Sequence, residues 1–301
     1  MLEHRNADYI DRNNAVETML RKAPLASEGK ARSTVRFYLR AFRSLKNMDL
    51  PERTAVLDFG CAFGSVVDAL LASGYDAYGV DILEYWGKDE DLCGEIITHY
   101  SSDVQSRLQT LDPETGRLPF PDSSFDIVLS DQVLEHVFDM RSALLEQARV
   151  LKPGGIAIHR MPRRHALIEP HTKLPFATLN QFHWYLTLYA LAGRRNSRQL
   201  GLSWRDTLKS SEALFGTTHY VSKKTLLAIA RGAGLNARFI NHLPIVESRI
   251  GGLYQKLDRI GLAAVTKPLL MALNSTQVLA LEKPLTDNPA PAVFAGISAS
   301  T

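Results

Sequence analysis

The sequence predicts an α/β protein with a doubly wound, mostly parallel, seven-stranded sheet, N-terminal helices and a helical insertion after the fifth strand. Three observations predict this fold class. Short β-like runs alternate with amphipathic segments between residues 54 and 162, a glycine-spaced turn follows the first run, and the alternation stops over residues 163–221. Such alternation builds parallel strands with right-handed crossovers and places ligands at the carboxyl ends of the strands.

The first fifty residues, 1–50, are predicted to form an N-terminal helical cap. Within it, residues 34–45 carry apolar side chains at helical spacing, which is typical of a helix that packs one face on a domain. The apolar stripe consists of Val35, Tyr38, Leu39, Phe42 and Leu45.

Five strands and two helices are predicted in the alternating region. The first strand is followed by a helix that Gly74 closes, and the next strand completes a β-α-β unit. The predicted strands are residues 54–59, 75–81, 107–112, 124–131 and 155–162, and the predicted helices are residues 65–74 and 140–151.

A second group of elements is predicted after the insertion. Residues 222–235 have the pattern of a helix, with Ser222 as its N-cap. Two final strands follow, at residues 237–243 and 276–283, and we expect the second to form an antiparallel edge hairpin with the first.

The domain organisation follows from these elements. With 301 residues and 45% hydrophobic content, the chain suits one large domain with an insertion. We assign residues 51–283 to the main domain, residues 163–221 to a substrate-binding insertion, and residues 284–301, rich in Pro, Ala and Ser, to a flexible tail.

Composition excludes several protein classes. Cys61 and Cys93 are the two cysteines of the sequence, so neither a disulfide framework nor a cysteine zinc cluster is expected. We expect a reducing, cytoplasmic setting instead. The N-terminal residues lack a signal-peptide core, and no apolar run reaches the length of a membrane span.

Positive charge is concentrated in the insertion. Residues 160–210 hold nine Lys/Arg and two Asp/Glu, whereas the whole chain has a net charge of only +3. Two interpretations remain open: a solvated surface, or a site for an anionic acceptor or an anionic membrane surface.

The glycine-spaced turn lies in VLDFGCAFG, residues 56–64. The dinucleotide fingerprint G-x-G-x-x-G fails here, because counting from Gly60 its second and third glycines are replaced by Ala62 and Ser65. An ionised Asp58 at the strand end would repel a pyrophosphate and attract an ammonium group. The turn therefore favours a zwitterionic amino-acid ligand.

The same turn resembles the first motif of the class I S-adenosylmethionine-dependent methyltransferases, D/E-x-G-x-G-x-G. It stands here as DFGCAFG, residues 58–64, with Ala62 in place of the middle glycine. The resemblance implies a Rossmann-like fold, S-adenosylmethionine as cofactor and methyl transfer. It also implies that Asp58, Gly60, Cys61 and Gly64 surround the methionine part of the cofactor.

Two further acidic positions fit the resemblance. Asp81 ends the predicted second strand, seventeen residues after Gly64, where the family places a carboxylate that binds the ribose, with Ile82 beside it. Its alternative interpretation is an ordinary helix N-cap. Asp112 closes the third strand and is expected to accept the adenine amino group, with Asp103 as a rival.

The fourth stretch is LPFPDSSFDIVLSDQVLEHV, residues 118–137, followed by ARVLKPGG. It resembles the small-molecule, methyltransferase type 11-like group of that family. The resemblance places Ser130, Asp131 and Gln132 beside the methyl group. His136, on the following turn, has two interpretations: a packed helix residue or a catalytic group.

The acceptor side is expected just beyond the fifth strand, in RMPRRHALIEPHTKLPF, residues 160–176. Glu169 with His171 is our first candidate for the general base, since a displacement at a hydroxyl needs a group that removes its proton. Arg160, Arg163 and His165 are expected to bind the acceptor. The residue types of the segment also allow a metal site, but no metal is expected, because Pro170 disfavours a helical presentation and no further acidic ligand is evident.

An aromatic, apolar stretch follows at residues 181–193, with Arg194 and Arg195 directly after it. It is interpreted as a lid or core helix, or else as an interfacial helix in peripheral contact with an anionic membrane. Either suits an acceptor that carries phosphate, such as a nucleotide-linked or lipid-linked sugar.

The predicted function is methyl transfer from S-adenosylmethionine to a hydroxyl or amine of a small-molecule or glycan-type acceptor. Two alternatives stay open: an RNA methyltransferase, which the basic segment favours, and a catalytically inactive cofactor-binding scaffold. A DNA partner is not expected. The strand-four segment reads Ser-Asp-Gln-Val, without the aromatic platform on which many amino-group DNA methyltransferases stack a flipped base.

Overall fold

The computed structural model describes residues 23–82, 100–112, 115–196, 199–240 and 251–285. Helices and strands alternate through the first half of the chain, as the sequence predicts. In chain order the elements are α1 (Ala23–Lys46), β1 (Ala55–Phe59), α2 (Ser65–Leu71), β2 (Asp76–Asp81), α3 (Ser102–Ser106), β3 (Leu108–Thr110), β4 (Phe125–Asp131), a 3₁₀ turn (Leu134–His136), α4 (Met140–Val150), β5 (Leu151–Pro162), α5 (His183–Leu191), α6 (Trp204–Gly216), α7 (Lys223–Gly232), β6 (Asn236–Ile240), α8 (Gly251–Arg259), α9 (Ala263–Leu273) and β7 (Thr276–Glu282).

The seven strands form one sheet in the order β3-β2-β1-β4-β5-β7-β6. Neighbouring strands from β3 to β5 are parallel, and β7 runs antiparallel to both β5 and β6. The predicted fold class is confirmed. The predicted antiparallel edge pair of β6 and β7 is confirmed: β7 lies between β5 and β6, five of its consecutive residues are buried, and β6 is the edge strand.

One face of the sheet is covered by α1 and α2. The predicted apolar stripe of α1 contributes Val35, Tyr38 and Phe42 to a core that includes Val56 of β1 and Ile158 of β5. Tyr38 also donates a hydrogen bond to the carbonyl oxygen of Ser130. The N-terminal helix is therefore part of the main core, since it covers the sheet behind the ends of β1 and β4.

The other face packs against α4 and α7. Leu57 and Val128 point to this side, because side chains alternate along a strand, and they meet Leu144 of α4 and Leu226 of α7. The hydroxyl of Ser222 accepts the N–H of Thr225 at 3.1 Å, which confirms the predicted N-cap.

The insertion has a small core of its own. The helices α5 and α6 pack on each other through Tyr185, Leu186, Ala190, Leu208 and Phe215, together with Leu174 and Ala177 of the preceding loop. This core holds the loop after β5 in place above the carboxyl edge of the sheet.

Several sequence predictions lie outside the described residues: positions 1–22 of the helical cap, 241–243 of the predicted sixth strand and 286–301 of the tail. Among the helices that the structure describes, none combines the length and apolar character needed to cross a membrane.

Candidate functional site

Three carboxylates converge at the carboxyl edge of the sheet. Asp58 lies near the end of β1, while Asp81 and Asp131 end β2 and β4. The register places Asp58 opposite Leu129 of β4, and Asp81 opposite Thr110 of β3. Ligands bind at this edge in open α/β sheets, so the predicted donor residues share one location.

The turn after β1 folds tightly against the end of β2. The backbone N–H groups of Gly60 and Cys61 both donate to the carbonyl oxygen of Val80, at 2.8 and 3.2 Å. Gly60 and Gly64 have φ angles of +81° and +82°, which disfavour residues with a Cβ. A Cβ at Gly60 would lie 2.3 Å from the side chain of Val133. The absence of side chains here lets the loop after β4 approach the turn.

Asp81 binds this turn from the neighbouring strand. Its two carboxylate oxygens accept the backbone N–H groups of Ala62 and Ile82, each at 2.7 Å. Ala62 replaces the usual glycine and adopts a φ of +46°. Burial raises the pKa of Asp81, and the two N–H donors oppose that shift. Each oxygen retains capacity for another donor, so ribose binding stays a prediction; residues 83–99, which would test the N-cap alternative, lie outside the described chain.

Asp58 is a carboxylate held away from water. Burial, together with the smaller effect of the nearby charges of Asp131 and Asp81, raises its pKa to about 8. Desolvation disfavours an isolated negative charge, whereas a cation at this position would favour the ionised form. The electrostatics thus fit the predicted ammonium partner.

Asp112 lies two residues beyond β3 and is exposed. Its carboxylate accepts the hydroxyl of Thr115 at 2.5 Å. It borders a cavity of about 590 Å³ lined by residues 110–112 and 117–121. The rival Asp103 lies on α3 and binds Arg107 at 3.0 Å. Adenine binding at Asp112 stays a prediction, and the cavity gives it space.

The end of β4 is fixed by β5. The hydroxyl of Ser130 lies 2.7 Å from Nδ1 of His159, and both side chains are fully buried. Asp131 binds Arg160 through two hydrogen bonds, one of 2.7 Å from Nε to Oδ1. Gln132 then turns sharply, with a φ of +59°, and its N–H donates to the carbonyl of Arg160 at 2.8 Å. Arg160, predicted to bind the acceptor, is thus paired with a predicted cofactor residue.

The loop after β5 carries a fully buried carboxylate, Glu169. It accepts the backbone N–H and Nδ1 of His171 at 3.0 and 2.6 Å, the N–H and hydroxyl of Thr172 at 2.5 and 2.8 Å, and the hydroxyl of Tyr220 at 2.9 Å. Burial alone would raise its pKa, but these donors lower it to about 2. Glu169 is therefore ionised and holds His171 in one orientation.

His171 faces the turn after β4. Its Nδ1 is bonded to Glu169, so the ionised carboxylate favours the tautomer with the lone pair on Nε2. Nε2 lies 3.7 Å from Oε1 of Glu135, and the ring contacts that of His136 edge-on at 5.5 Å. Nδ1 of His136 lies 3.1 Å from the carbonyl oxygen of Thr217. The structure thus brings the three predicted catalytic residues together.

Glu135 is a site residue that the sequence prediction missed. Its side chain is 3% exposed, and within the described residues neither carboxylate oxygen has a hydrogen-bond partner. Burial raises its pKa to about 7. It directly precedes His136 and follows Val133, whose side chain touches the glycine turn. Its position next to a predicted catalytic histidine was the signal available in the sequence.

The residues that could bind a metal form a different group from the one that the sequence suggested. Ligand atoms of Glu135, His136 and His171 lie within 4.8 Å of one another. Glu169, considered as a ligand with His165 and His171, is instead surrounded by N–H and O–H donors. Glu135, His136, Glu169 and His171 are together called here the acceptor cluster.

Two predicted acceptor residues lie at the start of the insertion. Arg163 is half-buried, burial lowers its pKa, and its backbone N–H donates to Ser275 at 2.8 Å. His165 is exposed. Acceptor binding by Arg163 and His165 stays a prediction.

The family model described as a methyltransferase domain matches residues 57–159. This range runs from the glycine turn to the interior of β5, and it contains the donor residues. Residues 57–159 are a class I S-adenosylmethionine-dependent methyltransferase domain, an enzyme class whose cofactor is S-adenosylmethionine. The resemblance and the cofactor prediction are confirmed.

Curated relatives agree over the same region. A probable S-adenosylmethionine-dependent methyltransferase of Mycolicibacterium smegmatis is 30% identical over 128 residues, covering 42% of this chain and 44% of that protein. Demethylmenaquinone methyltransferase of Bacillus licheniformis is 32% identical over 113 residues, covering 38% of this chain and 47% of that protein. The matches thus span less than half the length of these relatives.

A solved structure of an S-adenosylmethionine-dependent methyltransferase from Mesorhizobium loti is similar over 81% of this chain and 96% of its own, with a TM-score of 0.48 and 16% identity.

Proposed function

We propose that the protein transfers a methyl group from S-adenosylmethionine to a hydroxyl or amine of a small-molecule or glycan-type acceptor, phosphorylated or lipid-linked. One observation carries the proposal. The acceptor cluster, in which Glu135 and Glu169 are buried, adjoins the glycine turn, since Glu135 follows Val133 by two residues and Val133 contacts Gly60.

The donor side of the proposal rests on charge and backbone geometry. Asp58, buried between the other strand-end carboxylates, suits the ammonium group of the cofactor. Asp81 suits the ribose hydroxyls, and the cavity beside Asp112 suits the adenine. When bound, S-adenosylmethionine supplies an electrophilic methyl group on a sulfonium. The protein's task is then to align the acceptor atom and to exclude water.

The acceptor side of the proposal rests on the Glu169–His171 pair. Ionised Glu169 keeps the proton of His171 on Nδ1, so Nε2 is the atom that takes up the acceptor's proton. Glu169 then stabilises the imidazolium by its charge, and Glu135, 3.7 Å from Nε2, adds a second carboxylate. His136 packs against His171 and limits its rotation.

The class of acceptor is inferred from charge. The insertion is strongly basic, and it begins with Arg163 and His165 next to β5. A half-buried arginine binds a phosphate or carboxylate well because its charge is poorly solvated. An acceptor with an anionic group fits this entrance.

Two measurements, made one after the other, test the proposal. Calorimetry should detect binding of S-adenosylmethionine to the purified protein, and absence of binding would reject the donor side. Cell extract incubated with radiolabelled cofactor and separated into lipid, nucleotide-sugar, RNA and protein pools should then carry label in the lipid or nucleotide-sugar pool. Label confined to RNA would replace this acceptor class with the nucleic-acid alternative.

A further inference from the structure

An apolar surface lies on the outside of the insertion. On α5, Trp184, Leu188 and Leu191 are spaced by four and three residues, so they share one helix face, and each is more than half exposed. The loop before the helix adds further side chains of the same kind. The whole surface, called here the aromatic face, consists of Phe176, Leu179, Phe182, Trp184, Leu188 and Leu191.

The opposite face of α5 is already used for packing. Tyr185, Leu186 and Ala190 are buried against α6 and the preceding loop. The exposed apolar side chains are therefore surplus to the insertion's own core. A concentration of large exposed apolar side chains of this kind is typical of an interaction site.

Charge identifies the kind of partner. Residues 170–205 contain five Lys/Arg and no Asp or Glu. Lys173 and Arg194 are exposed and flank the aromatic face on its two sides along the chain. Aromatic and aliphatic side chains bordered by cations match the boundary between acyl chains and anionic headgroups. An acidic protein surface would match the cations but leave six large apolar side chains to pair.

The helix α5 and the residues directly after it are bonded to the turn that carries His171. Tyr185 of α5 donates to the carbonyl oxygen of Pro175. Asn196, just after α5, donates through Nδ2 to the carbonyl oxygen of His171 at 3.0 Å. A partner that contacts the exposed face of α5 would therefore lie close to the turn of His171, where the acceptor is proposed to bind.

We propose that the aromatic face docks on an anionic lipid surface, with Trp184, Leu188 and Leu191 inserted at the headgroup boundary and Lys173 and Arg194 on the headgroups. A lipid-linked acceptor could then reach His171 without leaving the bilayer. The contact goes beyond the proposed function, and its test uses neither cofactor nor acceptor, so failure of one leaves the other standing.

Vesicle sedimentation of the full chain tests the contact. The probe is a phosphatidylcholine vesicle with about one third phosphatidylglycerol, compared with pure phosphatidylcholine. The protein should sediment with the anionic vesicles and be released by salt. Trp184→Ser with Leu188→Ser should lower the partition coefficient at least about tenfold. Lys173→Ser and Arg194→Ser should each lower it about fivefold.

Matched controls replace residues of the same kinds away from the aromatic face. Leu145→Ser on α4 and Lys224→Ser on α7, both exposed, should leave the partition coefficient unchanged. Far-UV circular dichroism, which needs no cofactor, shows that each variant is folded.

Three outcomes would overturn the proposal. Wild-type protein could stay in the supernatant with anionic vesicles, or the Trp184→Ser/Leu188→Ser variant could bind as well as the wild type. Light scattering could instead show a wild-type dimer that the double variant dissociates, which would assign the aromatic face to a second copy of the chain.

Discussion

The donor and acceptor sides of the site are built in opposite ways. The donor side uses strand ends and backbone within residues 58–82 and 110–132, and most of its bonds are local to the sheet. The acceptor cluster joins two segments that are distant in sequence, Glu135 with His136 and Glu169 with His171. A third segment, the loop of Thr217 and Tyr220, is bonded to both. The donor side thus depends on one sheet edge, whereas the acceptor cluster depends on how the insertion packs against the turn after β4.

The largest predicted effect is the loss of turnover in a variant that disrupts only the acceptor side. His171→Ala removes the atom proposed to take the acceptor's proton, so turnover should fall by about 10²–10⁴-fold. Affinity for S-adenosylmethionine should stay unchanged, because His171 makes no bond to the donor residues described here. Steady-state kinetics and calorimetry on the same preparation check both statements.

The matched control is His183→Ala in the same insertion. His183 is exposed and paired with Glu212 at 2.6 Å, away from the acceptor cluster. Its loss should leave turnover on a water-soluble acceptor unchanged. If His171→Ala turned over as fast as His183→Ala, His171 would have no part in the mechanism.

A smaller effect is expected when the donor side alone is broken. Asp81→Ala removes the charge-assisted bonds from the backbone N–H groups of Ala62, in the glycine turn, and of Ile82, together with the expected ribose contact. Binding of S-adenosylmethionine should weaken by about 1–3 kcal/mol, as measured by calorimetry. Asp49→Ala, which removes an exposed partner of Arg43, is the control. Wild-type affinity in Asp81→Ala would exclude the ribose contact.

The smallest predicted effect is a gradual change of stability with pH, caused by Asp58. Its pKa of about 8 in the folded protein lies above the ordinary value, so without ligand the folded state holds a proton that the unfolded state has released between about pH 4 and 8. Stability should therefore fall as pH rises through that window.

Cofactor affinity should follow the opposite trend. The ammonium of S-adenosylmethionine needs ionised Asp58, so affinity should rise by up to about tenfold per pH unit below pH 8. Calorimetry in buffers of different ionisation enthalpy should detect proton release on binding at pH 7. Asp58→Asn should weaken binding and flatten the pH dependence, and an unchanged slope would assign the proton to another group.

The same contrast explains how far the sequence could predict the molecule. The donor site is contiguous in sequence, because Asp58, Gly60, Gly64 and Asp81 owe their positions to strand ends and turns that local patterns indicate. The antiparallel pairing of β6 with β7 at the sheet edge was predicted as well, whereas the position of β7 next to β5 depends on long-range packing that no local pattern indicates. A local sequence pattern therefore predicts where a strand or helix lies in the chain better than it predicts which elements pack beside it.

The acceptor cluster could be predicted only in part for the same reason. Glu169 and His171 lie two residues apart and were predicted as a pair. Tyr220 joins them across about fifty residues, and no spacing in the sequence indicates that bond. Glu135 was missed because its burial depends on the insertion that covers it.

Because the carboxylate of Glu135 lacks a hydrogen-bond partner among the described residues, the melting temperature of the protein can be used to identify the acceptor. Burying this carboxylate without a donor costs the folded protein free energy. A molecule that seats a hydroxyl or ammonium against those oxygens returns that free energy in addition to its own binding, and so raises the melting temperature. A library of candidate acceptors can therefore be ranked by thermal shift before any methylated product has been seen.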